Sequence, residues 1–316
     1  MTRGSQDENV WSIVLAGGDG ERLKPFVRQW LGYEKPKQYC AFVGTRSMLQ
    51  HTLDRADEIS APRHKVTIVA FDHRRRGWPE QLKRKAGRLV VQPSNQGTAT
   101  AVFLALAYIR REAPNATVVL YPSDHFIYPE DRFLHVVRAA IGAAQTTLPQ
   151  KLVLLGVAAS RPELDYGWIQ TGRELGRVMG HRISTATRFK EKPIFKHREP
   201  EVTTASGLWN TLILAATADF LWSLGYSCFP DLMGPLEEFS DSIGQGDHEA
   251  NLDALYRTVS RHDFSSELLE VSPDKIAVIE LNGVLWSDWG RSERIRESLA
   301  AIGAVPAFSI SSAATA

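Results

Sequence analysis

Short, uninterrupted runs of apolar residues recur along the first half of the chain. Five of them are rich in β-branched residues and lie at 12–16, 66–71, 89–92, 117–122 and 151–158. Runs of this length and composition are typical of strands that are buried on both faces, as in a parallel sheet. Between the runs, apolar residues recur at helical spacing on two faces, one made by Val102, Ala105, Leu106 and Ile109 and one by Phe133, Val136, Val137, Ala140 and Ile141. The alternation predicts right-handed βαβ units and a Rossmann-like α/β fold, in which a mostly parallel sheet carries helices on both faces.

The pattern changes after about residue 158. Segments within 165–172, 182–193 and 208–222 predict strands joined by turns, which we expect to be antiparallel additions to the sheet. A further helix is predicted through Leu252, Leu255, Tyr256 and Val259, then a strand over 276–281 and a closing helix through Ile295, Leu299 and Ile302. Because no repeat or low-complexity linker divides the chain, we expect one domain over 10–302 between flexible tails at 1–9 and 303–316.

Composition narrows the class of protein. The 316 residues are 43% hydrophobic and 23% charged, with a formal net charge of +1, which gives no electrostatic footprint for nucleic acid or a membrane surface. No window approaches the roughly 18 apolar residues of a membrane span, and the first nine residues lack the apolar core of a signal peptide. Cys40 and Cys228 lie far apart without CxxC spacing, which argues against a disulfide framework or a zinc site. We therefore expect a cytoplasmic protein without nucleic-acid or membrane partners, and a homodimer is compatible with the sequence.

A glycine-rich loop, AGGDGERLKP at 16–25, directly follows the first predicted strand. Ligands of α/β sheets bind beyond the carboxyl ends of the strands, where such loops lie. Gly17 and Gly18 allow close approach of the backbone, successive N–H groups can form an anion nest, and Arg22 offers a planar fork for phosphate oxygens. The loop is neither a Walker A motif nor a dinucleotide fingerprint, because GxxxxGK[ST] is absent and Leu23 stands where a third glycine would be. Taken alone, it is equally compatible with a phosphate site and with a solvated tight turn.

Further motifs follow the glycine loop in a fixed order. They are KPKQY (35–39), SMLQHTLDR (47–55), QPSNQGTATA (92–101), YPSDHFI (121–127), YGWI (166–169), FKEKP (189–193), LWNT (208–211) and LWSDWG (285–290). Over roughly residues 10–300 this series closely resembles the sugar-nucleotide pyrophosphorylases, and PSDH, KEKP and WSDWG are most similar to their mannose-1-phosphate guanylyltransferase branch. The resemblance implies a glycosyltransferase-A-like nucleotidyltransferase fold, with a nucleotide-binding part at about 10–158 and a sugar-phosphate-binding part at about 159–302.

The activity that the resemblance implies is transfer of a nucleotidyl group from GTP to mannose 1-phosphate, which gives GDP-mannose and pyrophosphate with Mg²⁺ as the cofactor. One alternative keeps the reaction and changes the sugar 1-phosphate or the triphosphate, for example to glucose 1-phosphate. Another is a non-catalytic sugar-nucleotide sensor that binds without turnover.

The resemblance also implies roles for residues of the first part. The nucleotide would contact Gly17, Gly18, Arg22, Gln92, Gly97 and Thr98; the catalytic residues would be Arg22, Lys37 and Asp124; and the metal ligands would be Asp124 and Asp288. Two separated aspartates suffice, because Mg²⁺ usually takes one or two carboxylates and completes its shell with phosphates and water. Thr98 is also compatible with a helix N-cap. His125 is compatible with a structural hydrogen bond or with a place near the nucleotide.

On the sugar side, the resemblance implies contacts from Tyr166, Gly167, Glu191, Lys192 and Asn210. Since adjacent residues of a strand point to opposite faces, Glu191 and Lys192 can both face the ligand only if the backbone bends before Pro193.

Three departures from the family pattern stand out: Glu21 replaces a frequent threonine, Gln96 replaces an arginine and Ser265 replaces an aspartate. A carboxylate near phosphates is unfavourable, so we expect Glu21 to face solvent or to pair with a basic neighbour.

Overall fold

The protein is described by a computed structural model that covers residues 9–193 and 207–309. Its strands are β1 Val10–Ala16, β2 Lys65–Ala70, β3 Arg88–Gln92, β4 Thr117–Pro122, β5 Phe126–Tyr128, β6 Leu152–Ala158, β7 Trp168–Val178, β8 His181–Lys190, β9 Gly207–Thr217, β10 Ile276–Glu280 and β11 Leu285–Ser287. Its helices are α1 Lys24–Leu31, α2 Met48–Asp57, α3 Phe71–Arg75, α4 Gly97–Glu112, α5 Glu130–Gly142, α6 Ala218–Cys228, α7 Pro230–Ser242, α8 His248–Thr258 and α9 Ser292–Ala301. Short 3-10 and π turns join several of these elements.

Nine strands form one sheet in the order β3-β2-β1-β4-β9-β6-β10-β8-β7. The first four strands run parallel to one another, and β6 is parallel to β10, whereas β9 and β8 are antiparallel to their neighbours. The predicted Rossmann-like, mostly parallel sheet is confirmed. The five strands expected in the first half lie within two residues of their predicted bounds, because continuous β-branched runs suit strands that are covered on both faces.

The strands of the second half close on themselves. Besides its pairing with β8, β7 pairs with β9 through Trp168 opposite Trp209, so β9, β6, β10, β8 and β7 form a ring of strands. Among them, β7, β8 and β9 are the predicted antiparallel additions. The expectation of a strand through residue 222 was wrong at its end: the Thr217 hydroxyl accepts from the Phe220 N–H (3.3 Å) and begins α6 as an N-cap. The later helix, strand and closing helix are confirmed as α8, β10 and α9.

Helices cover both faces of the sheet, as predicted. Buried residues of α4, α6, α7 and α8 pack on one face, and those of α2 and α5 pack on the other. Every residue of α4 from Ala99 to Ile109 is buried, because this helix lies between the sheet and α6 and α7. At 16 residues α4 is shorter than a membrane span. No other helix of the described residues is long and apolar enough to cross a membrane.

A third cluster of buried residues joins the two ends of the chain. Phe308, only 6% exposed, packs edge-on against Phe26 of α1 with ring centroids 4.9 Å apart. Pro306 forms a β-bridge with Val43, and the Ala307 N–H donates to the Phe42 carbonyl at 2.8 Å. Residues 303–309, which were expected to belong to a flexible tail, are therefore packed on the domain. Residues 1–8 and 310–316 lie outside the described part of the chain.

We expect Phe308→Ala to lower the free energy of unfolding by about 3 kcal/mol, because truncating a buried phenylalanine removes apolar burial and leaves a cavity. Urea denaturation measures the loss. Val305→Ala is the matched control, since Val305 lies three residues away and is 82% exposed. Equal unfolding midpoints for the two variants would mean that this segment does not contribute to the core.

Candidate active site

Two short strands bring the predicted metal carboxylates together. Asp124 lies between β4 and β5, and Asp288 follows β11 directly. Because β5 and β11 pair antiparallel, with Phe126 opposite Ser287, the start of one strand lies beside the end of the other. The glycine loop reaches the same place, since β1 and β4 run parallel and end at the same edge of the sheet. Residues far apart in sequence thus form one site at the carboxyl ends of the strands.

The side chain of Lys37 connects the two carboxylate loops. Its Nζ lies 2.9 Å from Oδ2 of Asp124 and donates to the backbone carbonyl of Asp288. Lys37 is 4% exposed, so this cation sits inside the protein rather than on its surface. A single ammonium group therefore joins the Asp124 carboxylate to the backbone of Asp288.

The carboxylate of Asp288 accepts four hydrogen bonds. Its Oδ1 accepts from Arg294 at 2.7 Å, from the Tyr166 hydroxyl at 3.0 Å and from the Gly290 N–H at 3.0 Å. Its Oδ2 accepts from the guanidinium of Arg22 at 2.8 Å. Arg294 also lies over the ring of Tyr166, 4.5 Å from its centroid. The carboxylate of Asp288 is thus fixed by four donors from three separate segments.

Nearby cations keep both carboxylates charged. Burial acts to raise the pKa of Asp288, but Lys37, Arg294 and Arg22 outweigh it and hold that pKa well below the usual range. Burial also acts to raise the pKa of Asp124, and Lys37 overcomes it, so that this pKa is lowered as well. A depressed pKa means that the stability contributed by Asp288 is present at neutral pH. It is lost only as the pH falls below about 4 toward the lowered pKa.

The two carboxylates fit a magnesium ion that is completed by substrate. Oδ1 of Asp288 is already saturated by three donors, so coordination would fall to its Oδ2 and to Oδ1 of Asp124. The side chain of Asp124 is 35% exposed and open to a ligand. Within residues 9–193 and 207–309, no group of three or more His, Cys, Asp or Glu side chains is arranged so that it could hold a metal ion. Phosphate and water oxygens would have to supply the remaining ligands, as is usual for Mg²⁺.

Two side chains that the sequence reasoning missed hold the glycine loop. Gln38 is buried, and its Nε2 donates to the carbonyls of Ala16 (3.0 Å) and Gly18 (2.7 Å). His73 is buried as well, and its Nε2 lies 3.1 Å from Oδ1 of Asp19. Burial lowers the pKa of His73, and Asp19 opposes that change. Gln38 stands inside the KPKQY motif, but His73 begins a basic run that predicts only a solvated loop.

A cavity of about 300 Å³ opens beside the glycine loop. It is lined by Leu15, Gly17, Gly18, Ile68, Gln92, Asn95, Gly97, Thr98, Ala101, Arg261, Asp263 and Glu267. All the residues predicted to contact the nucleotide line it, except Arg22. A Cβ at position 17 would lie 2.3 Å from Nε2 of Gln92, so a larger residue there would displace the Gln92 side chain. Gly18, by contrast, has no neighbour within 4 Å of such a Cβ and leaves the cavity open.

The start of α4 is held by the loop at 262–264. Gly97 has a φ of +88°, and a Cβ there would lie 2.0 Å from the carbonyl oxygen of His262. In this structure the absence of a Cβ at Gly97 lets the backbone of His262 come close. The sequence had suggested that a ligand would come close there. The Thr98 hydroxyl donates to Asp263 (3.1 Å) and accepts from the Phe264 N–H (2.9 Å). The alternative of Thr98 as N-cap was wrong, since Gln96 occupies that position.

The three departures from the family pattern have local explanations. Glu21 faces solvent and pairs with Lys24 at 2.5 Å, as expected for a carboxylate beside a phosphate loop. Gln96 donates to the carbonyl of Tyr256 at 3.2 Å and so ties α4 to α8. Ser265 is buried, and the carboxylates that line the cavity in this segment are those of Asp263 and Glu267, two residues to either side.

His125 makes the structural hydrogen bonds that are one of its two open roles. Its Nδ1 accepts from the indole N–H of Trp286 at 3.2 Å, and its carbonyl accepts from buried Arg55 at 3.3 Å. Burial lowers the pKa of His125 to about 4, so the imidazole is neutral at physiological pH.

The predicted sugar-phosphate residues meet around Gly167. A Cβ on Gly167 would lie 2.6 Å from Oε2 of Glu191 and 3.2 Å from Cβ of Asn210. Lys192 has a φ of +43°, so the backbone bends before Pro193, and its Nζ lies 3.4 Å from Oε1 of Glu191. The two side chains therefore share one side of the chain. Burial raises the pKa of Glu191, and Lys192 opposes that change.

Glu270 and a bulge fix this second group. The carboxylate of Glu270 accepts from Lys190 (2.6 Å) and from the Glu191 N–H (2.9 Å), which anchors the end of β8. The side-chain oxygen of Asn210 accepts from the Leu212 N–H at 2.8 Å, where β9 bulges out of register with β6. The amide nitrogen of Asn210 is the part of that side chain that such a contact leaves for a ligand.

Fold and site together define a nucleotidyltransferase with a glycosyltransferase-A-like fold. The sequence profile of the Nucleotidyl transferase family matches residues 11–302, and the chain belongs to this family. A crystal structure described as a mannose-1-phosphate geranyltransferase of Thermus thermophilus superimposes with a TM-score of 0.74 at 21% identity, covering 92% of this chain and 79% of the other. At that identity the likeness supports the fold alone.

Curated relatives give the same family. A mannose-1-phosphate guanylyltransferase of Escherichia coli is 26% identical over 285 residues, which are 88% of this chain and 59% of the relative. The xanthan biosynthesis protein XanB of Xanthomonas campestris is 28% identical over 299 residues, or 89% of this chain and 58% of the relative. The chain thus spans about three fifths of the length of these relatives.

We expect Asp288→Asn and Asp124→Asn to differ in stability. The first change removes a buried charge that accepts from Arg294, Tyr166 and Arg22, which should lower the free energy of unfolding by about 3–5 kcal/mol. The second removes the carboxylate partner of buried Lys37, but Asp124 is 35% exposed and water can take its place, so the loss should be smaller, about 2 kcal/mol. Urea denaturation at neutral pH compares the two. Equal losses would contradict the structural role of Asp288.

Proposed function

We propose that this chain is a magnesium-dependent sugar-1-phosphate nucleotidyltransferase, and specifically that it makes GDP-mannose and pyrophosphate from GTP and mannose 1-phosphate. The observation that carries the proposal is the buried Lys37 ammonium, which pairs with Asp124 and with the Asp288 carbonyl beside the glycine loop. Family membership supports the reaction class, and the names of the relatives support the choice of sugar and base.

The reaction is a direct displacement at phosphorus. A phosphate oxygen of the sugar 1-phosphate forms a bond to the α-phosphorus of the triphosphate. The bond from that phosphorus to the oxygen leading to the β-phosphate breaks, and its electron pair leaves with pyrophosphate. No covalent bond to the protein is needed, so catalysis rests on alignment and on neutralisation of charge.

Charged residues of the first half would neutralise the triphosphate. Lys37 lies between the carboxylates and reaches the α-phosphate, while Arg22, whose side chain is about half exposed, turns its fork toward the outer phosphates. Mg²⁺, held by Asp124 and Asp288, would compensate charge on the phosphate oxygens. Arg22 must then leave Oδ2 of Asp288, and its exposure permits this movement.

Residues around Gly167 would orient the sugar 1-phosphate. The carboxylate of Glu191 accepts from sugar hydroxyls, and Lys192, with 63% of its side chain exposed, binds the phosphate. Asn210 donates to a further hydroxyl, and the absence of a Cβ at Gly167 lets the Glu191 carboxylate and Asn210 come together there. The attacking oxygen would then be presented to the α-phosphorus from this group, and in-line displacement requires pyrophosphate to leave on the opposite side.

The cavity beside the glycine loop supports guanine. Guanine presents N1–H and N2–H₂ donors beside an O6 acceptor, whereas adenine lacks O6. Gln92 offers an amide N–H to O6, because its own oxygen accepts from the Tyr256 hydroxyl at 3.4 Å. Carboxylates of Asp263 and Glu267 on the same wall are acceptors of the kind that the guanine donors require.

A matrix of four nucleoside triphosphates against several sugar 1-phosphates, assayed by pyrophosphate release with and without Mg²⁺, tests the proposal. Release that requires Mg²⁺ and is fastest with GTP and mannose 1-phosphate is the expected result. Release with another pair would keep the reaction class and change the substrates. Binding of a sugar nucleotide by calorimetry without release from any pair would indicate a sensor and contradict the proposed activity. Asp124→Asn should abolish most turnover in a folded protein.

The base is expected to be selected by at least about a hundredfold in kcat/KM for GTP over ATP. Adenine leaves two buried polar groups unpaired at roughly 1–3 kcal/mol each, and about 1.4 kcal/mol is a factor of ten. Gln92→Ala should narrow the ratio. Gln96→Ala, which removes the same amide four residues away and outside the cavity lining, should leave it unchanged. Equal use of GTP and ATP by the native chain would refute the choice of guanine.

A further inference from the structure

Three arginines converge on one carboxylate at the mouth of the site. Oδ2 of Asp165 lies 2.7 Å from Arg291, 2.9 Å from Arg294 and 3.4 Å from Arg22. Arg294 is buried and also bonds Asp288 and Glu163. The side chains of Arg22 and Arg291 are 48% and 59% exposed. Oδ2 of Asp165 thus holds the exposed guanidinium groups of Arg22 and Arg291 side by side, close enough for both to bind one phosphate group.

Stability does not account for Arg291. It is the N-cap residue of α9 and makes no side-chain capping bond there. Ser, Thr, Asp or Asn is preferred at that position, and the helix dipole opposes a cation. Its ion pair with Asp165 is largely exposed, and such pairs contribute little. Asp165 is already paired with buried Arg294, so it does not need a second partner. A residue that breaks a local preference without compensation is typical of functional sites.

We infer that Arg291 is a second arginine for the departing pyrophosphate, and that Asp165 positions it beside Arg22. The inference rests on the proposed function and deepens it. Because Arg22 belongs to the glycine loop, which lines the cavity assigned to the nucleotide, the anion that Arg22 and Arg291 would share is assigned to the outer part of the triphosphate. Two forks on one phosphate group give bidentate, charge-assisted hydrogen bonds, which a lysine cannot reproduce.

The test is binding of inorganic pyrophosphate, with Mg²⁺ present, to the full chain by calorimetry. Arg291→Gln should weaken binding about tenfold, the value of one charge-assisted hydrogen bond, and Arg291→Lys should be intermediate. Arg161→Gln is the matched control: Arg161 is 50% exposed and lies near Glu163 and Glu297 (3.9 and 3.8 Å), so the same charge is lost outside the cluster. Its effect should stay below about twofold. Thermal melting checks that all three variants are folded.

Kinetics separate this inference from its alternatives. Arg291→Gln should raise KM for pyrophosphate in the reverse reaction and for the triphosphate in the forward reaction, with KM for the sugar 1-phosphate changed by less than about twofold. A larger change for the sugar 1-phosphate would overturn the inference, and so would equal losses in Arg291→Gln and Arg161→Gln. Turnover with unchanged pyrophosphate affinity in Arg291→Gln would leave the proposed function standing and the inference refuted. If the chain binds pyrophosphate through Arg291 but shows no turnover, the inference stands and the proposed function is refuted.

Discussion

The buried ammonium of Lys37 is the contact on which the arrangement of the site depends. An ion inside a protein costs several kcal/mol unless it is paired, so its partners must come close and stay close. Here those partners belong to loops that are far apart in sequence, at Asp124 and Asp288. The pairing of β5 with β11 brings the loops into register, and the cation then joins the Asp124 carboxylate to the backbone carbonyl of Asp288. Electrostatics and strand pairing therefore specify the same geometry.

As a consequence, the two carboxylates differ in how much the fold depends on them. Asp288 accepts from Arg22, Tyr166 and Arg294, so the fold relies on it before any substrate binds. Asp124 meets the same lysine but keeps about a third of its side chain exposed. One carboxylate is thus part of the interior, and the other faces the space that a ligand would enter. Arg291 can move without exposing either carboxylate, whereas movement of Arg22 frees Oδ2 of Asp288.

The sequence predicted the strands better than it predicted which strands pair with each other. The five early strands were predictable because continuous burial leaves a continuous apolar run. The place of β9 between β4 and β6 was not, since pairing partners leave no local pattern. Motif residues at strand ends were found. Asp165 was missed because it begins a predicted strand and lies outside the YGWI motif, and His73 was missed because it lies in a basic run that looks like a solvated loop. Phe308 looked like part of a tail, since no periodic neighbours accompany it.

The position of β9 also sets the order in which the chain can complete itself during synthesis. When β4 has emerged, its outer edge has no strand beside it, and the one that covers it begins only at Gly207. Unpaired edges of this kind attract other chains, and long-range pairings form slowly. The growing polypeptide would therefore carry a nascent half-sheet until the chain between β4 and β9 has been made. In that interval chaperones can contact the unpaired edge. The topology therefore affects the cellular yield of folded protein rather than its final stability.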